Sequence, residues 1–454
     1  MNNEWICQLQ NKLNEDQCSM SSSEKYRHSH DESDHVPVEP DLVCFPESTE
    51  DVVAIVQIAQ QAAIPITPFG AGSGLEGQSI PFKGGISLNF ERMNKVIKFS
   101  PEDLLITVQP GITRLQLNHL INRHGLQFPI DPGADATIGG MVANNASGTT
   151  AVRYGVMRDQ VIDLEIVLAD GTRLHTGTKA KKSSSGYHLT GLFTGSEGTL
   201  GIITEITLKL HGISEHTIAA SCTFETPHQC AEAAHMILLS GIPIQRMEFV
   251  DAYSISKVNR YGNYGLPEKH SLFFEFAGMK SAVEEEANLA KELIMDMNGE
   301  NWRVAADSEE RAMIWKARHE MAYAYRHQAG MTITGGDVCV PISKLPELID
   351  YARELIVESG LEGGILGHIG DGNFHTAIAY DTTDPKQRLS AEYINEKLAY
   401  RAIKLEGTCT GEHGVGLGKM KYQDAEHGAA VAVMKNMKKM LDPSNLLNPG
   451  KIFT

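Results

Sequence analysis

Much is missing from this sequence, and each absence excludes something. No apolar run approaches the ~18 residues of a membrane-spanning helix, so no transmembrane segment is expected. Basic residues are scarce: 40 Lys and Arg stand against 57 Asp and Glu, a formal net charge of −17. That balance argues against nucleic acid as a partner and against an anionic membrane surface. Cysteines are few, odd in number and scattered, at positions 7, 18, 44, 222, 230, 339 and 409, with no Cys-x-x-Cys. They read as reduced thiols of a cytosolic protein rather than a disulfide framework. The N-terminus, MNNEWICQLQNKLNEDQ, lacks the basic start and apolar stretch of a signal peptide. The expected location is cytoplasmic. No internal repeat is found.

What is present is an ordinary globular composition, 42% apolar and 21% charged over 454 residues, enough for two or three domains. Residues 1–35 read as a short helix and a solvated polar segment, SMSSSEKYRHSHDESDH. Ser48 and Thr49 are N-cap candidates for a mostly buried helix over 52–63, followed by a short strand at 64–66 and a glycine loop. IDLEIVLADGTRLHTG alternates on both sides of Asp170-Gly171 and predicts a hairpin. GIITEITLKL, 201–210, alternates with period two. The texture changes after 212 to helical patterns such as SAVEEEANLAKELIMDMNG mixed with apolar runs, and changes again at 405. The division expected is 1–35, 36–212, 213–404 and 405–454.

Residues 72–77, GSGLEG, match G-x-G-x-x-G, but no helix follows; QSIPFKGGISLNF reads as loop then strand. The dinucleotide motif therefore lacks its context. Two readings survive, a plain glycine turn or a nest of backbone N–H groups around a phosphate. PIDPGADATIGGMVANNASGTTAVRYG (129–155) and GSEGTLGIITEI (195–206) are similarly rich in small residues. Small residues let backbone approach something large and flat. Three such stretches suggest one extended cofactor lying across one domain.

GHIGDGNFH (367–375) sets two histidines on either side of a Gly-Asp-Gly-Asn turn. Folded as a hairpin on two strands, it would bring His368 and His375 close, an arrangement that suits Zn²⁺, Mn²⁺ or Fe²⁺. A third ligand must come from elsewhere, and GTCTGEHGVGLGK (407–419) offers Glu412 with His413 beside it. Arg318 could hold a carboxylate bidentately or form a surface salt bridge.

The three glycine-rich stretches together resemble the FAD-binding domain of vanillyl-alcohol oxidase type flavoproteins, over about 36–212. Over about 36–454 the chain resembles the FAD-dependent 2-hydroxyacid dehydrogenases. GHIGDGNFH, DVCVPISKLPEL and GTCTGEHGVG look closest to the cytochrome-type D-lactate dehydrogenase and glycolate oxidase flavin subunit branch. The resemblance implies an α+β fold: a two-subdomain FAD-binding domain, an α+β substrate (cap) domain, and a C-terminal segment returning to the flavin. It implies that Gly70, Gly72, Ser73 and Gly74 cradle the pyrophosphate, and that Pro132, Gly133, Thr137, Gly139, Gly140, Gly148, Gly198, Gly201 and Ile203 line the rest of the FAD. The first glycine loop holds no His, so the FAD is expected to be non-covalent.

By the same resemblance His368, His375 and Glu412 bind a divalent metal, zinc first among the candidates. His413 is the catalytic base and Arg318 binds the substrate carboxylate. The 2-hydroxyglutarate branch has a Lys where this chain has Gly335 and a Thr where it has Ala322, so a small substrate such as D-lactate is implied rather than a dicarboxylate. The metal would lower the pKa of the substrate hydroxyl, an imidazole would take its proton, and the C2 hydride would pass to FAD N5. The expected partners are a small 2-hydroxy acid and an electron acceptor, whether quinone, cytochrome or electron-transfer flavoprotein, with contact to a membrane only through that acceptor. A homodimer is one assembly open to it. Other readings are the flavin subunit of a glycolate oxidase complex, an oxidase using O₂, and a non-redox flavin transferase of the alkyl-glycerone phosphate synthase kind. The paired-His and Glu-His motifs speak against a non-catalytic subunit, and the lack of further basic residues near Arg318 against a phosphate-bearing substrate.

Overall fold

The structure is a computed structural model that describes residues 4–326 and 330–453. The chain divides into two compact units. The first runs up to Ser147, resumes over Gly155–Ile213 and takes everything from Glu412 on; the second is Gly148–Tyr154 with Ser214–Gly411.

In the first unit, the strands Cys18–Ser19, Leu42–Cys44, Ile86–Asn89 and Ile66–Phe69 lie in that order, the last three parallel. The helix Thr49–Ala62 starts at Ser48, whose hydroxyl accepts from the Asp51 N–H while Asp51 accepts from the Ser48 N–H. Its apolar stripe, Val52, Ile55, Val56 and Ala59, packs with Leu42, Ile66, Ile86 and Leu88 of the sheet. A five-stranded antiparallel sheet follows, in the order Val96–Ser100, Leu105–Val108, Ile202–Lys209, Val161–Val167, Arg173–His175. Its last hairpin turns at Asp170-Gly171, where Gly171 takes φ +82°, a conformation natural only to glycine. The C-terminal chain runs beside Ile66–Phe69: the Ile66 N–H donates to Leu446 O at 2.8 Å, and the Asn448 N–H to Ile66 O at 2.7 Å.

The polar N-terminal segment is not a solvated loop. It holds a helix, Ser22–Arg27, and then His28, which has no exposed surface. The His28 Nδ1 lies 2.7 Å from Glu24 O and Nε2 lies 2.8 Å from Asn89 Nδ2. Both ring nitrogens thus find partners away from water, which the neutral imidazole can satisfy with one N–H and one lone pair. Burial lowers the pKa of this ring below the usual histidine value.

The second unit is built on a seven-stranded antiparallel sheet, in the order Glu300–Val304, His216–Phe224, His270–Gly278, Ile244–Val250, Glu362–Gly367, Asn373–Asp381, Met331–Cys339. Alternation sorts the side chains by face. Cys222, Phe224, Met247, Phe249, Leu272, Phe274 and Phe276 pack under the helices Pro227–Leu239, Lys280–Asp296, Leu345–Ser359 and Pro385–Lys404. Val250, Phe273, Leu366 and Ala377 go to the other face, under Ala252–Gly262 and Ser308–Arg326. The unit runs on to Gly411 because the Thr408 N–H donates to Cys339 O at 2.8 Å and Thr410 Oγ1 to Asp337 Oδ2 at 3.0 Å. Among the described residues no helix is long and apolar enough to cross a membrane.

One buried carboxylate ties the middle of this sheet together. Asp251 is fully buried; it caps Ala252–Gly262 through the Ser254 N–H at 2.8 Å, accepts the Ile365 N–H at 3.0 Å and pairs with Arg353. Asp251→Ala would strand these donors, and is expected to destabilise the unit by about 3 kcal/mol. Urea titration of the intact chain checks this; an unmoved midpoint would mean that the donors find other acceptors at no penalty.

Candidate functional site

The strands Glu362–Gly367 and Asn373–Asp381 form an antiparallel hairpin, with Leu366 opposite His375. Only one of the two histidines is on a strand, which corrects the expectation of two. The first strand stops at Gly367, where a Cβ would run into the backbone of Phe374. His368 comes next and caps the short turn Ile369–Asp371, which Gly372 closes at φ +79°. The two imidazoles are nevertheless close, with centroids 5.5 Å apart and planes at 85°. One nitrogen of each lies within 4.8 Å of the other.

Each ring has a carboxylate beside it, hydrogen-bonded in the case of His368. Glu248 is on the strand Ile244–Val250, in step with Val250 and so on the face that meets Ser308–Arg326. It is fully buried, with Oε1 2.6 Å from His368 Nδ1, while Oε2 accepts from Arg318 Nε at 2.8 Å and Nη2 at 2.7 Å. Burial alone would push its carboxyl up, but His368 and Arg318 outweigh burial and hold it below the usual range. An ionised carboxylate only accepts, so Nδ1 of His368 carries the hydrogen of this contact. His375 faces its cross-strand partner Asp337, with Nδ1 3.5 Å from Oδ1. Asp337 is 2% exposed and is fixed by Asn373 Nδ2 at 2.8 Å and by Thr410. This chemistry fits a metal, since carboxylate-backed imidazoles are the usual donors in such sites. Arg318 is thus in a buried ion pair rather than a surface one. Gly335 lies on the edge strand Met331–Cys339 and brings no cation there. Ala322 lies outside the residues whose side chains are described.

In the first unit the three glycine-rich stretches converge. A Cβ on Gly70 would collide with Thr137 Oγ1, one on Gly198 would lie 2.7 Å from Pro68 Cγ, and one on Gly201 would strike Ile166. A Cβ on Gly139 would sit 2.5 Å from Pro110 Cβ. Glycine at 70 and 198 lets the backbone close around the end of Ile66–Phe69. Gly133 is different: it is exposed, and no atom lies within 4 Å of its missing Cβ, so packing does not demand glycine there. A large planar cofactor fits that combination of tight backbone and open edge. Gly72 takes φ +71°, with Ser73 and Gly74 next to it. Thr137 caps the helix Ile138–Asn144 and accepts from the Gly140 N–H. Pro132 is half-buried, whereas Ile203 packs into the core of the five-stranded sheet. Gly148 opens the short stretch that belongs to the second unit.

Glu412 and His413 begin the last stretch of the first unit. The carbonyl of His413 accepts from Gln78 Nε2 at 2.6 Å and Asn144 Nδ2 at 3.4 Å. Just beyond, the Val415 and Gly416 N–H groups donate to the two oxygens of Glu197 at 2.6 and 2.9 Å. The Leu417 N–H donates to Glu76 O at 2.7 Å. The loop carrying His413 is therefore gripped by residues in or next to all three glycine stretches. Burial pushes the Glu197 carboxyl up, against the pull of those two N–H groups and of Lys451 and Lys419.

Sequence reasoning missed Glu248, Glu197 and Gln78. Glu197 stood in plain view as the one acid of GSEGTLG, and Glu248 as the one acid in the apolar run MEFV.

Fold and donors together define a flavoprotein fold with a carboxylate-backed imidazole pair. Residues 40–177 match the FAD binding domain family, and residues 213–452 match FAD linked oxidases, C-terminal domain. The chain is 44% identical over 440 residues to a probable mitochondrial D-lactate dehydrogenase of Danio rerio, covering 96% of this chain and 88% of that one. It is 41% identical to the mitochondrial D-lactate dehydrogenase [cytochrome] of Arabidopsis thaliana, covering 99% and 80%. Among solved structures, an alkyldihydroxyacetonephosphate synthase superposes with a TM-score of 0.79 at 19% identity, covering 99% and 86%, a likeness of fold alone. The chain belongs to the FAD-linked oxidase family that includes these D-lactate dehydrogenases.

Glu248→Gln keeps the shape but puts an NH₂ where one of the two donors now lands. The expected result is a fall of about 10–100-fold in turnover or metal affinity, with FAD content unchanged. Turnover equal to wild type at equal flavin content would show that the carboxylate does not orient His368.

Proposed function

We propose that this chain oxidises a small D-2-hydroxy acid, D-lactate first, to the 2-oxo acid. The observation that carries the reading is the buried Glu248, which holds His368 and Arg318 at once. Two relatives bearing the D-lactate dehydrogenase name over nearly the full chain support it. FAD would be held without a covalent bond by the Gly70–Gly74 loop and the two later stretches, and His368, His375 and Glu412 would hold a divalent ion. Bound FAD supplies the hydride acceptor, and the ion, Zn²⁺ first, supplies a Lewis acid for the substrate hydroxyl.

The remaining roles belong to side chains. Arg318 has five N–H donors, and Glu248 engages those on Nε and Nη2. The others would take the substrate carboxylate and so orient C2. Glu412 follows Gly411, whose Cα is packed so closely on Asn373 that any side chain would collide. His413 would accept the hydroxyl proton at a ring nitrogen; the Gln78 and Glu197 contacts fix the backbone that presents it. Gly335 supplies no cation for a second carboxylate, in keeping with a small substrate. The reduced flavin would pass its electrons to a quinone, a cytochrome or an electron-transfer flavoprotein. We place the protein in the cytoplasm, at a membrane only through that acceptor; cell fractionation tests this, since the two relatives are named as mitochondrial.

Acid precipitation of the purified protein should release FAD, and anaerobic D-lactate should bleach the flavin while L-lactate does not. Equal bleaching by both enantiomers would sink the substrate reading. Elemental analysis should find about one divalent ion per chain, and His375→Ala should abolish turnover while leaving the flavin spectrum near normal; full turnover without metal would remove the ion from the scheme.

Arg318→Ala should lower kcat/KM for D-lactate by the equivalent of about 2–5 kcal/mol. His413→Ala should slow flavin reduction by about 10²–10⁴-fold. In the wild type, reduction should slow at acidic pH as the imidazole protonates. Stopped-flow bleaching reads all three; a His413→Ala variant as fast as wild type would place the base elsewhere.

A further inference from the structure

Cys18 and Cys44 are direct cross-strand partners at the edge of the four-stranded sheet. The Phe45 N–H donates to Gln17 O at 2.8 Å, the bond that flanks a non-hydrogen-bonded pair in an antiparallel ladder. Such pairs set their Cα atoms ~4.5 Å apart and their side chains closest, within the span that a disulfide can bridge. Both residues are thiols here. We propose that Cys18 and Cys44 form a reversible disulfide, a redox staple across the edge strand of the first unit.

The two sulfurs differ as an attacking and a resolving thiol must. Cys18 is partly exposed on the edge strand, whereas Cys44 has no exposed surface. The hydrogen bond between them lowers the Cys18 pKa, while that bond and burial raise the Cys44 pKa. Thiolate character thus concentrates on the sulfur that an oxidant can reach. Cys222 and Cys230 make a useful contrast: both are fully buried and burial pushes both thiols up, so neither offers an entry point.

The oxidant is a small disulfide such as glutathione disulfide. The Cys18 thiolate attacks one of its sulfurs; a Cys18–glutathione bond forms and the other half leaves as a thiolate. Cys44 then gives up its proton and attacks Cys18 Sγ, and the second glutathione leaves as a thiol. Two protein thiols have lost two electrons and two protons, and one small disulfide has become two thiols.

The bond would close the loop between residues 18 and 44. That loop contains His28, buried on Asn89, and Glu32, whose N–H donates to Gly74 O at 3.0 Å. A staple there would fasten the segment that rests on the first glycine loop. Closing a loop of this size raises the thermal midpoint by about 5 °C.

The test uses the full-length chain in glutathione buffers of graded ratio, quenched with acid, alkylated under denaturing conditions and mapped by mass spectrometry. The expected product is a Cys18–Cys44 linked peptide about 2 Da lighter than its two thiol peptides. It should reopen with dithiothreitol, and Cys222 and Cys230 should remain alkylatable. In Cys44→Ala, Cys18 should stop at a glutathione adduct. Alkylation of both cysteines at every ratio, or a stable adduct on Cys18 in the wild type with Cys44 still alkylatable, would overturn the proposal. An adduct absent from Cys18 in Cys44→Ala would also overturn it. None of these readings depends on bound FAD or on turnover.

Discussion

The second unit turns on one carboxylate. Glu248 is sealed from water in the middle of a seven-stranded sheet, where an unpaired charge would be prohibitive. It is tolerated because two cationic or donating groups arrive from elsewhere in the sequence, Arg318 from the helix Ser308–Arg326 and His368 from the turn after Gly367. Each partner is set by the same atom pair that neutralises the charge. The dependence is mutual: without the carboxylate neither side chain has a reason to point inward. Strand register guards the arrangement, since a slip of one residue would turn Glu248 toward Met247 and Phe249's side of the sheet, into a large hydrophobic cluster.

The first unit uses a carboxylate in a different way. Glu197 is buried like Glu248, yet its partners are backbone N–H groups of residues 415 and 416 rather than a guanidinium. Lys451 and Lys419 act on it only from a distance, and burial wins, so the Glu197 carboxyl is pushed up where that of Glu248 is held down. The difference follows from the work each does. Two backbone N–H donors to one carboxylate specify the path of a loop, and Glu197 itself takes φ +51°. A guanidinium and an imidazole instead need a full negative charge to orient them.

What was legible in the sequence were features decided locally. The helix start at Ser48, the Asp170-Gly171 turn and the strand over 202–209 depend on neighbours a few residues away, and each stands close to where the pattern put it. The glycine stretches were legible as a set because close approach leaves a compositional mark. Charged residues in apolar strands left none: Glu248 within MEFV looks the same whether it faces water or an arginine that is 70 residues downstream. The strand ending before His368 was hidden for a similar reason, since Gly367 yields to the backbone of Phe374 across the hairpin. The burial of His28 depends on Asn89, equally remote.

Gly335 and Gly336 show how the structure separates two glycines that the sequence presents as equals. A Cβ on Gly336 would strike Thr376 Oγ1 and lie 2.8 Å from Asn395 Oδ1, so packing alone accounts for glycine there. At Gly335 the only atom of the described residues within 4 Å of a Cβ is Thr376 O, at 3.8 Å, which is ordinary contact. The residue is exposed and its strand is at the sheet edge, so a long side chain would fit. Steric need does not explain the missing side chain. The strand that holds Asp337 opposite His375 thus carries a cation-free position two residues earlier, where no clash with the described residues forbids a lysine. If Arg318 takes the substrate carboxylate as proposed, a site that leaves such a place empty would suit an acid with one carboxylate.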